Sequence, residues 1–315
     1  MTPSVVAAID CGTNSTRLLV ADQNGRELVR LMRITRLGQG VDRSNSLAPE
    51  AVDRTVRVLE EFRHSMDALG VTRTRMVATS AVRDADNGVV FSERAAAAVG
   101  TAPEVLSGQE EGRLAYLGAS ADLESFDGDT LVVDVGGGST ELILGRRGAV
   151  HAVSLQLGCV RLTERFLPSD PPGAAEVASA RSAIEQELDR GEREMPELSG
   201  LHAARRMIGL AGTVSTLASI YLGLPEYDPE RLHHAVLPTG EIRDLAERLA
   251  GLPARSRSGL VGMVEGRQDV ILGGALVLEA VAVRYGFDEV VASEHDILDG
   301  IVASLLSDAS GGVTA

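Results

Sequence analysis

Short apolar runs separated by polar turns open the chain, helical spacing follows them, and the same order is met again further on. Val5 to Ile9, Arg17 to Ala21 and a long segment from Glu27 read as three strands of a meander, with Asn24-Gly25 predicting a type I′ turn before the third. From Pro49 to Leu69 the apolar positions recur at helical spacing. A strand over Met76 to Thr79 and helices through Ala98 come next. Val105 and Leu106 then lead into Ser107-Gly-Gln-Glu110, a capping-box spacing that starts a helix running to Ala119.

The order then restarts. Leu131 to Asp134, Glu141 to Leu144 and Ala149 to Ser154 read as strands, and Gly136 to Gly138 as the first turn between them. One constant offset lays Asp10 on Asp134, Gly12 on Gly136, Ser15 on Ser139 and Thr16 on Thr140, and Leu18-Leu19-Val20 on Leu142-Ile143-Leu144. The chain thus reads as two related halves, each presenting an Asp-x-Gly hairpin. Downstream, a helix is predicted over Ala174 to Leu188, a strand over Arg206 to Leu210, a helix over Thr213 to Tyr221 and a loop over Pro225 to Pro229. A buried helix over Val270 to Val283, interrupted near Gly273-Gly274, precedes a strand over Val290 to Ala292. A helix over Asp296 to Leu306 and a frayed tail from Ser307 to Ala315 complete the pattern. Strands alternating with helices predict an α/β fold of two domains, 1–122 and 123–315, with the helix 296–308 able to pack back onto the first. The boundary falls near Asp122 to Gly128.

Composition narrows the chemistry. The chain has 315 residues, 44% hydrophobic and 24% charged, which is ordinary soluble composition. A net charge of −15 disfavours binding to nucleic acid or an anionic membrane through the bulk field. All 30 basic residues are Arg, so Schiff-base enzymology and a P-loop lysine are excluded. Aromatics are 3% with no Trp, a poor supply of stacking platforms. Cys11 and Cys159 form no metal or redox motif and fit a reducing compartment. The opening MTPSVVAAIDCG lacks the charge pattern of a signal peptide, which sets the expected location as the cytoplasm.

Both hairpins have the chemistry of anion cradles. In Asp10-Cys11-Gly12-Thr13-Asn14-Ser15, glycine lets a ligand approach the backbone, and Thr13, Asn14 and Ser15 add donors beside it. In Asp134-Val-Gly136-Gly137-Gly138-Ser139-Thr140-Glu141, three glycines after a buried strand weaken it unless the backbone must approach something. A phosphate chain is the natural occupant. Asp134 and Glu141 are hard oxygen donors of the kind that suit Mg²⁺ or another divalent cation, and Asp10 could position one too. Arg17 occupies the sister position of Glu141, so the halves differ in charge there.

Three further candidates flank these hairpins. Glu110 is explained by capping, whereas Glu111 is left either to complement the helix dipole or to orient and deprotonate an attacking water. Arg83 follows a buried strand and either clamps phosphate or pairs with Asp84 or Asp86 at the surface. Gly212-Thr213 opens another helix, a third anion site. His233 and His234 are adjacent, which directs their rings to different faces, and with His295 they read as structural.

The segments AIDCGTNSTRLLVAD, ATSAVRDADNG, VLSGQEEGRLAYLGA, LVVDVGGGSTELILG, LGCVRLTERFL, GLAGTVSTLASI and GRQDVILGGALVL, in this order, resemble the exopolyphosphatase and guanosine pentaphosphate phosphatase (Ppx/GppA) family. The resemblance covers nearly the whole chain. It implies two actin-like, ribonuclease H-like domains with the active site in the cleft between them, and hydrolysis of terminal phosphoanhydrides. Glu111 would be the base that activates water, and Asp134 and Glu141 would hold the divalent cation with Asp10 beside it. The two hairpins and Gly212-Thr213 would hold phosphates, and Arg83 the anionic chain. The implied substrate is inorganic polyphosphate or guanosine pentaphosphate, and the implied assembly a homodimer. A nucleotide-binding actin-like module or kinase is the reading of another class, supported by Gly273-Gly274 as an adenosine-pocket glycine pair. Ser293 is followed by Glu-His-Asp-Ile-Leu-Asp-Gly300, without the arginine common at this place in the family. The chain also lacks the HD-type helical module of longer relatives, so short polyphosphate chains are expected as the preferred substrate.

Overall fold

Val6–Cys11 (β1) is buried at all six positions, as a strand covered on both faces requires. The computed structural model describes residues 4–121, 128–146, 148–201 and 205–310, side chains of 308–310 excepted. Residues 122–127 of the expected boundary and 311–315 of the expected tail lie outside the described residues. The described residues up to 121, together with those from 296 onward, form one compact unit, and those from 128 to 295 a second.

In the first unit β1 pairs antiparallel with β2 (Ser15–Ala21), and β2 with β3 (Glu27–Ile34). After α1 (Val41–Ser44) and α2 (Pro49–Ala68), β4 (Arg73–Ala78) returns parallel to β1. Then α3 (Ser80–Arg83) and α4 (Gly88–Val99) lead to β5 (Glu104–Val105), parallel to β4, and to α5 (Gly108–Ala119). The sheet order is β3-β2-β1-β4-β5. Pro49 starts α2 at its first turn, where its missing N–H costs nothing, and Val52, Val56, Leu59, Phe62 and Met66 form the face it buries.

The second unit uses the same scheme. An antiparallel meander of β6 (Asp129–Val135), β7 (Thr140–Arg146) and β8 (Ala149–Leu155) is followed by α6 (Cys159–Phe166), α7 (Ala174–Glu194) and a 3₁₀ turn at Pro196–Gly200. β9 (Arg205–Leu210) returns parallel to β6. There follow α8 (Ala211–Tyr221), α9 (Pro229–Leu232), β10 (Val236–Pro238), α10 (Thr239–Ala250), α11 (Ala254–Arg257), α12 (Ile271–Arg284) and β11 (Glu289–Ala292). The sheet order is β10-β11-β9-β6-β7-β8. The chain then re-enters the first unit as α13 (Ile297–Ser310), which packs on α5 and β1. Mixed sheets interleaved with helices make this an α/β protein.

Four expectations need correction. The turn before β3 is not type I′, because only Gly25 has a positive φ and that type needs two such residues. It is a longer loop in which Asp22 Oδ1 accepts from Asn24 N and Arg26 N at 2.9 and 3.0 Å. Helix α12 is not interrupted at Gly273-Gly274: every residue from Ile271 to Ala282 is buried in one continuous helix. Those glycines admit neighbours, since a Cβ would stand 2.7 Å from Cys159 O at Gly273 and 2.5 Å from the Thr213 side chain at Gly274. Elements α1, α6, α9, α10 and β10 are additional to the predicted set, and α13 extends to Ser310, past the expected start of fraying. Among the described residues no helix is long and apolar enough to cross a membrane.

Candidate active site

The repeated hairpins share their backbone geometry. Gly12 N donates to Ser15 O at 3.0 Å, and Gly136 N to Ser139 O at 3.0 Å. Cross-strand register pairs Asp10 with Arg17 and Asp134 with Glu141. The charge asymmetry between the halves therefore falls on facing residues.

In the first unit, Arg17 Nε and Nη2 donate to Asp10 Oδ2 at 3.1 and 2.8 Å, and Arg17 Nη1 donates to Asp296 Oδ2. Burial raises the Asp10 pKa above its ordinary value; Arg17 opposes this and the Asp296 charge reinforces it. Burial also pushes the neighbouring Cys11 thiol well up, so it is an inert core group. Thr13 Oγ1 is 2.9 Å from Ser80 Oγ, while the Thr13 and Asn14 carbonyls accept from Gly38, Thr35 and Arg36. The turn is thus braced from behind. Two buried polar atoms at it, Asp10 Oδ1 and Asn14 Nδ2, have no hydrogen-bond partner among the described residues. One accepts and one donates, and such orphaned groups call for a ligand or another explanation.

Arg83 and Glu111 come together. Arg83 Nη1 donates to Glu111 Oε2 at 3.0 Å and to Leu106 O at 2.9 Å, whereas the closest approach to Asp84 is 4.0 Å. Arg83 thus keeps a long ion pair with Asp84 and makes its shorter one with Glu111, which is only 8% exposed. Glu110 behaves as the capping spacing requires: Ser107 N and Oγ donate to Glu110 Oε2 at 3.1 and 2.8 Å. With the cap supplied by Glu110, Glu111 is turned to the interior.

In the second unit, the glycine loop supports the start of α6. Cys159 N donates to Gly136 O, and Val160 N and Arg161 N to Gly137 O, satisfying donors that a helix start otherwise leaves open. A Cβ on Gly158 would stand 2.3 Å from the Gly137 carbonyl, so glycine is required there. Part of the glycine run thus serves packing. The N–H groups of Gly137 and Gly138 make no hydrogen bond among the described residues. Asp134 and Glu141 are 8% and 1% exposed, and Ser154 Oγ donates to Glu141 Oε1 at 2.8 Å. Thr213 Oγ1 donates to Val135 O at 3.2 Å, tying the start of α8 to β6.

Several residues here were not singled out from the sequence. The Arg267 guanidinium lies against Gly212, where a Cβ would stand 1.8 Å from Nη2, and Arg267 is buried. Its only sequence signal is a lone Arg between Gly266 and Gln268. Buried Arg161 donates to Gln156 from the first turn of α6, and Asp296 joins through Arg17. The histidines require a correction. His234 has a φ of 64°, and this left-handed backbone brings its ring onto that of His233, with centroids 3.9 Å apart, instead of onto another face. His295 lies 4.6 Å from His233.

Within the second unit Asp134 and Glu141 face each other across β6 and β7 and offer hard carboxylate oxygens, and in the first unit Asp10 Oδ1 has no hydrogen-bond partner among the described residues. Mg²⁺ takes one or two carboxylates and fills its shell with phosphate oxygens and water.

A model of the Ppx/GppA phosphatase family matches residues 19–309. The chain is 43% identical to exopolyphosphatase 2 of Mycobacterium tuberculosis over 95% of its own length and 98% of that protein's. The crystal structure of an exopolyphosphatase-like protein matches with a TM-score of 0.91 at 35% identity, covering 97% of this chain and 99% of that one. The Aquifex aeolicus member of the Ppx/GppA family matches with a TM-score of 0.78 at 32% identity, over 99% of this chain and 100% of the other. Hairpins, glycine loop and the Arg83–Glu111 pair thus sit in a chain that belongs to the Ppx/GppA phosphatase family.

Proposed function

We propose that this protein is an exopolyphosphatase, a hydrolase that releases orthophosphate from the end of inorganic polyphosphate with the help of a divalent cation, in units of the actin-like type. The observation that carries the reading is the Arg83–Glu111 pair: a carboxylate spared from capping, buried, and fixed by a guanidinium at 3.0 Å. The likeness to a protein named exopolyphosphatase 2 over almost the whole of both chains supports the substrate.

Phosphoryl transfer to water needs placement and charge stabilisation more than covalent chemistry. In this reading the Glu111 carboxylate accepts a proton from the attacking water. Arg83 holds the carboxylate in position and lends positive charge to the anionic substrate. The N–H groups of Gly137 and Gly138, the Asn14 amide, and the hairpin residues Thr13, Ser15 and Ser139 bind phosphate oxygens, as does the helix start at Gly212-Thr213, while Gly12 and Gly136 close the turns and let the ligand approach. Asp134 and Glu141 hold the cation, with Asp10 as a further carboxylate. When bound, the cation neutralises phosphate charge.

Glu111→Gln tests the base. The amide keeps the size and the acceptor for Arg83 but takes no proton, so kcat for orthophosphate release should fall by about 100-fold or more with melting temperature unchanged. Turnover near that of the wild type would remove Glu111 from this role. For the cation, Asp134→Asn should raise the Mg²⁺ concentration needed for half-maximal rate, and an unchanged titration would count against that ligand.

A further inference from the structure

Asp296 is the first residue of the segment that returns to the first unit. Its Oδ1 accepts from Leu298 N at 2.9 Å, and Asp299 Oδ2 accepts from Asp296 N at 2.9 Å, a reciprocal cap on α13. Its Oδ2 takes the remaining arm of the guanidinium that holds Asp10. The position is fixed by its surroundings. Asp299 accepts from Arg30 on β3 at 2.6 Å, and α13 crosses α5 so closely that a Cβ on Gly118 would stand 1.8 Å from Asp296 O.

One arginine is therefore shared by two buried carboxylates, Asp10 at 4% and Asp296 at 6% exposure. A pair of Arg17 and Asp10 alone would be neutral, a closed ion pair with little attraction for a cation. With Asp296 these three side chains sum to one net negative charge, and among the described residues Asp10 Oδ1 has no hydrogen-bond partner. We infer that Asp296 is a positioning residue for cation binding at Asp10: by taking part of the Arg17 charge, it leaves Asp10 Oδ1 able to face a divalent cation. This rests on the reading of Asp10 as a cation-facing carboxylate. An Asp296 that merely anchored α13 would affect stability and leave cation affinity alone.

The test is Mn²⁺ binding to the full chain, followed by the electron paramagnetic resonance of the free ion, beside the Mg²⁺ dependence of orthophosphate release. Asp296→Asn keeps the cap and removes the charge. It should weaken Mn²⁺ binding about tenfold while kcat at saturating Mg²⁺ stays within about twofold of wild type. Arg17→Gln combined with Asp296→Asn restores the net charge and should return affinity to within about threefold of wild type, a coupling no simple anchor produces. Asp296→Ser, which also caps, repeats the test if the Asn variant does not fold. Wild-type affinity in Asp296→Asn, or a double variant binding no better than the single one, overturns the inference. Asp10→Asn in the same titration separates the two readings. Lost binding there with none lost in Asp296→Asn overturns this inference alone, whereas unchanged binding in Asp10→Asn overturns both.

Discussion

Glu110 and Glu111 stand side by side at the start of α5 with different duties, and that difference can be measured. Hydrogen bonds from Ser107 hold the Glu110 pKa below the ordinary glutamate value. A carboxylate whose folded pKa is lowered stabilises the fold above its unfolded pKa, and this contribution is lost as pH falls through the folded value. Wild type should therefore melt above Glu110→Gln at neutral pH, with the gap closing as pH drops through the glutamate range. A gap independent of pH would contradict the capping role. Residue by residue, the sequence disclosed those groups whose neighbours along the chain explain them: the Ser107–Glu110 cap, and the charge difference between the sister positions Arg17 and Glu141. Arg267 against Gly212 and Asp296 on Arg17 were hidden, because each meets partners far away in the chain and no local pattern announces it.

Secondary structure was legible where a short apolar run or a recurring face marks it, as in β1, α2 and α5, and less so where packing overrides the local signal. Gly273-Gly274 reads locally as a helix break, yet burial on every side of α12 keeps the helix whole, and the glycines serve close contact with Cys159 and Thr213. Helix α10 has Ile242, Leu245, Ala246 and Leu249 on its buried face, a helical spacing present in the sequence but absent from the predicted set. Two element-scale predictions follow from backbone geometry. A Cβ on Gly300 would lie 1.9 Å from Leu114 O, so Gly300→Ala must push α13 off α5 and should cost about 3 kcal/mol in chemical denaturation. An unchanged midpoint would mean that the crossing is looser than described. Ala211 opens α8 with a φ of 65°, a left-handed conformation that a Cβ disfavours. Ala211→Gly should therefore raise stability by about 1 kcal/mol, and a loss would show that the strain is compensated locally.

At the scale of the molecule, the repeat was the most informative signal. The alignment of Asp10 with Asp134 and Gly12 with Gly136 is realised as two meanders with matching turns and, in each unit, a parallel strand beside the first. Composition added the exclusion of lysine chemistry. The return of the last helix to the first unit is set by tertiary contacts, namely Arg17 with Asp296, Arg30 with Asp299 and the Gly118–Gly300 crossing. The segment could be read beforehand as a helix able to pack back, but not the residues that hold it there. The central claim is that this assembly hydrolyses terminal phosphoanhydrides of polyphosphate. The direct measurement is orthophosphate release with Mg²⁺ from short polyphosphate, long polyphosphate, guanosine pentaphosphate and ATP in parallel, using wild type and Glu111→Gln. The account predicts rapid release from polyphosphate by the wild type and almost none by the variant. Release from guanosine pentaphosphate alone, or binding of ATP without turnover of any substrate, would contradict it.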